Sequence, residues 1–186
     1  MRNHKLKIMI LIALFAAITA VCSQITVPLG PVPFTLQTFA IAITAIILGR
    51  YGGLAILLYL IIGAIGVPVF SGFKAGIPVL VGPTGGFLIG FTLAAFIMGL
   101  VIDRMNLSFA KALIINIIGL VLVYAIGVTQ LKLLMDLTWV KAMSLGMIPF
   151  ILPDLLKIGI ASYLGVLIRR RLDTAGLFPG TKQKAA

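Results

Sequence analysis

Asp154 and Lys157 are an acid and a base three residues apart, in a stretch that carries no other charge from Met147 to Ile168. On a helix this spacing places the two side chains on one face. Charged side chains at membrane depth are costly and rare, so they indicate a functional site. A carboxylate beside an ammonium offers a ligand a hydrogen-bond acceptor and a donor. The stretch predicts a polar binding site; the alternative is an internal salt bridge that only neutralises two buried charges.

Such a pair complements a small group with adjacent N–H donors and a carbonyl acceptor, for example a cyclic urea. Asp154 would accept from the N–H and Lys157 would donate to the carbonyl, both in charge-assisted hydrogen bonds. Lys74, outside the membrane, could meet an anionic end of the same molecule. Small-molecule sites combine a few polar groups with apolar walls. The aromatic residues available for those walls are Phe34, Phe70, Phe73, Phe87 and Tyr163.

Catalytic chemistry is poorly supported by the residue types present. The chain has one histidine, His4, one cysteine, Cys22, and four acidic residues that lie in separate segments. No nucleophile–base pair or metal-ligand set can be assembled at one membrane depth. We therefore expect no enzyme activity, no catalytic residue, no metal and no cofactor.

The elements that must position the pair are membrane helices. The chain is 61% hydrophobic and 10% charged, whereas soluble domains are about 45–50% apolar and about 25% charged. We predict an all-α integral membrane protein with one six-helix domain over residues 1–174 and a polar tail over 175–186. The predicted helices lie near 8–21, 34–48, 54–66, 85–102, 109–129 and 147–168. A basic start and Cys22 also resemble a signal peptide, but Val21 is too bulky for the cleavage site, so we expect the first helix to be retained.

The segment 66–87 is rich in glycine and proline and predicts irregular backbone, which membrane proteins tolerate only against protein or a cavity. It is either a ligand wall or a structural loop. The proline-rich stretch 24–33 is either a lid or a plain connector. Polar or glycine positions near these segments, or within the helices, complete the candidate ligand-binding set: Gln37, Thr84, Gly85 and Asn116.

The positions of the basic residues predict the orientation. With six crossings, Lys74, Lys132 and Lys141 fall on one side and Lys157 in the membrane, while the remaining Lys and Arg residues fall on the side of the two termini. The positive-inside rule then places both termini in the cytoplasm and the candidate site at the outer side. The net charge of +11 is spread over these flanks and does not indicate nucleic-acid binding.

The first helix carries two overlapping pairs of small residues, Ala13 with Ala17 and Ala16 with Ala20. Small residues four apart let another helix approach closely in lipid. By the pattern alone, packing within the same chain is the favoured interpretation, and a partner subunit is the alternative.

Four motifs, in order and spacing, resemble the BioY family of biotin-binding substrate (S) components of energy-coupling factor (ECF) transporters. They are Arg50-Tyr51-Gly52, Gly66-Val67-Pro68-Val69-Phe70, Gly82-Pro83-Thr84-Gly85-Gly86-Phe87 and the stretch from Pro149 to Lys157. The resemblance implies an S-component fold that binds biotin from outside, with Asp154 and Lys157 on the ureido ring and the first loop as a lid. It also implies that the face Ala13 to Ala20 meets a transmembrane coupling subunit of the EcfT type, which assembles with two ABC-type ATPase subunits.

Two positions depart from the family pattern. Leu152-Pro153-Asp154 stands where relatives often have Pro-Gly-Asp, and Thr84 stands where some have a basic residue for the biotin carboxylate, which leaves Lys74 as the candidate. The resulting prediction is a biotin-uptake subunit in a prokaryotic cell membrane, surrounded by lipid. The alternatives are an S component for another vitamin, a membrane-embedded enzyme and a purely structural membrane subunit.

Overall fold

The structure, a computed structural model, describes residues 2–175, with side chains from Lys5 onward. The predicted tail 175–186 therefore lies, from residue 176, outside the described residues. In the described range the chain forms eight α-helices and a two-stranded antiparallel hairpin. Their bounds are α1 Arg2–Gln24, β1 Thr26–Val27, β2 Phe34–Thr35, α2 Gln37–Leu48, α3 Gly52–Ala64, α4 Ile77–Leu80, α5 Gly85–Ile102, α6 Phe109–Leu134, α7 Trp139–Gly146 and α8 Ile148–Thr174.

Six of these helices, α1, α2, α3, α5, α6 and α8, pack into one bundle. Five stretches of the described chain are long and apolar enough to cross a membrane, and one of them, Gln37–Ala64, contains both α2 and α3. That stretch folds back on itself. The two helices lie side by side, as the hydrogen bond from the Gln37 side-chain amide to the Tyr59 hydroxyl, at 2.9 Å, shows. The six-helix prediction is confirmed, with α2 and α3 forming a hairpin.

A short 3-10 turn, Gly49–Tyr51, makes the reversal between α2 and α3. Gly49 has a φ of +56°, and a Cβ at this position would collide with the carboxylate of Asp103. The turn therefore requires glycine for its conformation and for the space beside α5. We call the end of the bundle that holds this turn the inner end, and the opposite end the outer end.

Three helices are longer than predicted. α1 extends over Arg2–Gln24, α6 continues to Leu134 beyond the predicted end near residue 129, and α8 continues to Thr174 beyond the predicted end near residue 168. The predicted start of the second helix at residue 34 is wrong, because Phe34–Thr35 form β2 and α2 begins at Gln37. At the end of α6 the polar side chains are used in contacts: Gln130 donates to the carbonyl oxygens of Leu80 and Gly82, both at 2.9 Å. The segment 66–84 is irregular as predicted, apart from the single turn of α4.

The small residues of α1 divide between two faces. Ala16 is buried and Ala20 half-buried, and both pack on the hydrophobic core, whereas Ala13 and Ala17 are exposed. α1 packs against α2 and α3. One pair therefore serves packing within the chain, and the other leaves a close-approach surface open to the outside of the bundle.

Candidate functional site

A cavity with an accessible volume of about 70 Å³ lies at the outer end of the bundle. Its walls come from β2, α2, the 66–84 segment, α5, α6 and α8. Six of the predicted ligand-binding residues line it, together with two of the predicted wall aromatics: Phe34, Gln37, Lys74, Thr84, Asp154, Lys157, Phe70 and Phe87. The sequence-predicted acid–base pair thus lines this cavity together with most of the predicted ligand-binding residues.

Asp154 holds two hydrogen bonds that fix its carboxylate. One oxygen accepts from Lys157 Nζ at 2.8 Å, and the other accepts from the Tyr124 hydroxyl at 2.7 Å. The Asp154 and Lys157 side chains are only 7% and 9% exposed. A carboxylate has about four lone-pair sites, so Asp154 keeps acceptor capacity for donors that enter the cavity. The helix α8 continues through Pro153, so the departure from the family pattern does not break the backbone here.

Lys157 on α8 contacts strand β2, which ends the first loop, between α1 and α2. Its ammonium donates to the backbone carbonyl of Thr35 at 2.6 Å and lies 3.5 Å from the centre of the Phe34 ring. With the bond to Asp154, three contacts surround a group that has three N–H donors. The lysine therefore ties strand β2 to the acid–base pair.

Gln37 links β2 to α3 through side-chain hydrogen bonds. The Thr35 hydroxyl donates to Gln37 Oε1 at 3.0 Å, while Gln37 Nε2 donates to the Tyr59 hydroxyl on α3. Gln37 is 4% exposed, so its donors and acceptor are satisfied within the protein as buried polar groups generally are. Its role is to position Thr35 and hence the carbonyl that Lys157 binds.

Lys74 and Thr84 lie towards the mouth of the cavity. Lys74 is exposed, and it is not a member of the salt bridges formed by Asp103 and Asp154. Its backbone carbonyl accepts from Phe70 N at 3.0 Å, which closes the 70–74 turn. The Lys74 ammonium is therefore placed to meet an anionic group near the mouth.

Four predicted site residues do not line this cavity. Phe73 is 72% exposed at the outer surface, and Tyr163 is 62% exposed, in edge contact with Phe109. Gly85 begins α5 against the backbone of Leu80, where a Cβ would collide. Asn116 lines a smaller cavity that adjoins this one. These four residues are therefore not part of the lining around the acid–base pair.

Tyr124 and Phe150 line the cavity but were not in the predicted site. Phe150 is four residues before Asp154, and this helical spacing was a signal that could have identified it. Tyr124 is a buried polar residue of α6, but no spacing in the sequence pairs it with Asp154 across thirty residues.

The helical bundle and its enclosed polar pair define a multi-pass membrane protein with a ligand cavity at one end. A solved structure, described as the S-component for biotin from an ECF-type ABC transporter, has the same fold: the TM-score is 0.85 at 24% identity, with 91% of this chain and 94% of that chain covered.

The sequence model of the BioY family matches residues 1–174, so the chain belongs to the BioY family. The protein named Biotin transporter BioY from Thermotoga maritima is 44% identical over 159 residues, which covers 84% of this chain and 92% of the relative. Biotin transporter BioY2 from Lactococcus lactis subsp. cremoris is 42% identical over 174 residues, covering 93% and 96%. The resemblance found in the motifs is confirmed over nearly the whole chain.

Proposed function

We propose that this protein is the high-affinity biotin-binding subunit of an ECF-type vitamin uptake transporter. The observation that carries the proposal is the Asp154–Lys157 pair, which lines the outer cavity with a buried carboxylate and ammonium. The relatives are named as biotin transporters, which supports biotin as the ligand and transport, not catalysis, as the activity.

The ureido group of biotin has two N–H donors and one carbonyl acceptor. Asp154 would accept from an N–H through the lone pairs that Lys157 and Tyr124 leave open, and Lys157 would donate to the carbonyl. Because Lys157 also donates to Thr35 O and contacts the Phe34 ring, the ligand carbonyl must replace one of these contacts. Ligand entry would therefore shift β2 and the first loop, in agreement with the predicted lid.

Lys74 is our candidate for the carboxylate of biotin. It is the cationic side chain at the mouth of the cavity, whereas Lys157 lies buried beside Asp154. A ligand with a polar ring and a carboxylate joined by an apolar chain would place its chain against Phe70 and Phe87. An exposed lysine contributes less than a buried charge pair, so Lys74 would set orientation more than affinity.

The proposal extends to the partners and the compartment. The exposed pair Ala13 and Ala17 offers the close-approach surface that a transmembrane coupling subunit of the EcfT type would use, and two ABC-type ATPases would supply the energy. The protein would lie in a prokaryotic cell membrane with both termini in the cytoplasm. Co-expression with an ECF coupling module tests this: Ala13→Leu/Ala17→Leu should lose co-purification, while Val121→Leu, on the exposed face of α6, should retain it. Equal co-purification of both would contradict the assigned surface.

The ligand itself is tested by titrating biotin into the purified protein and repeating the titration with thiamine and riboflavin present in excess. We expect saturable biotin binding that neither vitamin displaces. Displacement of biotin, or binding of another vitamin alone, would support the alternative of an S component with a different ligand. No binding of any of these to the folded protein would contradict the proposal.

A further inference from the structure

A second, smaller cavity lies deeper in the bundle. It adjoins the first cavity, because Thr38, Phe91 and Val123 line both. Asn116 lines only the deeper one and bonds to Ser162 on α8. Ser162 is eight residues beyond Asp154, or roughly 12 Å further along the helix axis at 1.5 Å per residue. The deeper cavity is therefore a continuation of the outer one towards the middle of the bundle.

Asn116 has an unsatisfied side-chain atom in this cavity. It is 1% exposed, its Nδ2 donates to Ser162 Oγ at 2.8 Å, and its Oδ1 has no partner among the described residues. Turning the amide by 180° would not resolve this, because Nδ2 would then be the atom without a partner. Either orientation leaves one buried polar atom without a partner among the described residues, which is unfavourable unless another molecule satisfies it.

We propose that the deeper cavity is a water-binding site held by Asn116. The space has room for about one water molecule. Thr38 on α2 is the other lining residue with a side-chain hydroxyl, so α6 and α2 each bring a polar side chain to this cavity. Most of the other walls are apolar, so the water would be fixed by these two partners.

This water would provide a polar group at the end of the ligand cavity nearest the middle of the bundle. A ligand group that reaches it must either leave it in place or replace its hydrogen bonds, because displacing an ordered water without replacing those bonds loses affinity. Asn116 would then limit how deeply a ligand enters, without contacting the ligand directly. The site itself is a property of the ligand-free protein, so its test does not depend on biotin being the ligand.

The test is a high-resolution structure of the ligand-free wild type, with and without xenon pressurisation. We expect a water peak within hydrogen-bond distance of the Asn116 amide, and no xenon there, since xenon enters dry apolar cavities. An empty cavity, or one that takes up xenon, would overturn the proposal, and these wild-type data suffice even if a variant fails to fold.

Two variants assign the water to Asn116. Asn116→Leu should lose the water peak, because it replaces the amide with an apolar group of similar size. Thr44→Val is the matched control: its hydroxyl bonds to Ala40 O within α2 and it lines neither cavity, so the water should remain. Retention of the peak in Asn116→Leu would contradict the role of Asn116.

Discussion

The protein holds two clusters of acidic and basic side chains at opposite ends of one bundle. At the outer end, Asp154 and Lys157 lie three residues apart on one helix, 2.8 Å from each other. At the inner end, Asp103 bonds to Arg50 at 3.1 Å and to Arg169 at 2.8 Å. The inner cluster joins the turn after α2, the end of α5 and the last part of α8.

The difference lies in what each cluster connects. Both oxygens of Asp103 are used between separate elements, and Arg169 also donates to the Ile46 carbonyl at 2.8 Å. The outer salt bridge lies within one helix and lines the cavity, and the pair reaches other elements through the Tyr124 hydroxyl on α6 and the backbone carbonyl of Thr35. A buried ion pair is weak evidence for stability. The comparison teaches that similar charges join separate helices at one end and line a cavity at the other.

Lys157→Met should break the outer cluster with the largest effect. It removes the donor for the ligand carbonyl and leaves Asp154 without its cationic partner. We expect biotin affinity to fall by about 100-fold, because a hydrogen bond to a charged group is worth up to about 3 kcal/mol and Asp154 also loses its cationic partner. Isothermal titration measures this, with exposed Lys141→Met as the control that should bind like the wild type. Equal affinities for the two variants would remove Lys157 from the site.

Asp103→Asn should break the inner cluster. It should lower the stability of the fold and leave biotin binding almost unchanged. It removes the charge that Arg50 and Arg169 share, and we expect a loss of about 1–3 kcal/mol, with biotin affinity changed by less than about 2-fold. Denaturant unfolding in detergent and a parallel titration measure the two quantities. A loss of affinity as large as that of Lys157→Met would show that the two clusters are not separate in function.

Tyr124→Phe sharpens the account of the outer cluster. The hydroxyl that orients Asp154 is lost, while the ring and its packing remain, so we expect about 10-fold weaker biotin binding. Tyr163→Phe is the control. Tyr163 lies on the exposed face of α8 and does not line the cavity, so this variant should leave affinity unchanged. If both variants bind like the wild type, Tyr124 does not position the carboxylate.

The smallest expected effect is a pH dependence of the inner cluster. Burial raises the pKa of Asp103, but hydrogen bonds from Arg169 and Arg50 outweigh it and hold the pKa below its ordinary value. The resulting stability is fully present above the unfolded-state pKa of about 3.9 and is lost as the pH falls through the lower native value. The stability difference between wild type and Asp103→Asn should therefore shrink below about pH 4. A difference that stays constant down to pH 3 would contradict this linkage.

The helices and the acid–base pair could be predicted because their signals are local. Long apolar runs predict membrane helices, and the spacing of Asp154 and Lys157 places them on one face wherever the helix lies. The α2–α3 hairpin was predicted as two short helices near 34–48 and 54–66, and the structure places the turn between them at Gly49–Tyr51. The family motifs then supplied the class of protein.

The inward and outward faces of the helices could not be predicted in the same way. Lipid tails are as apolar as a protein core, so the sequence gives no polar outer face to mark which aromatic residue lines the cavity. Tyr163 was therefore placed with the site although it lies on the outside of the bundle. The same problem applies to α1, where Ala13 and Ala16 face different surroundings.

Contacts between side chains of different helices also could not be predicted from the sequence. The bond from Tyr124 to Asp154 and the bond from Asn116 to Ser162 join α6 to α8. Both polar residues of α6 are visible in the sequence, but their partners depend on the register between the two helices. Packing sets that register, and the spacing of residues within one sequence does not specify it.

The most direct test of the central claim is biotin binding by Asp154→Asn, measured beside the wild type and Asp136→Asn. Asn keeps the shape of the side chain and removes the negative charge; Asp136 is an exposed acid outside the cavity. We predict tight, saturable binding by the wild type and Asp136→Asn, and binding at least about 100-fold weaker by a folded Asp154→Asn. Wild-type affinity in Asp154→Asn would contradict the claim that the buried acid–base pair recognises the ligand.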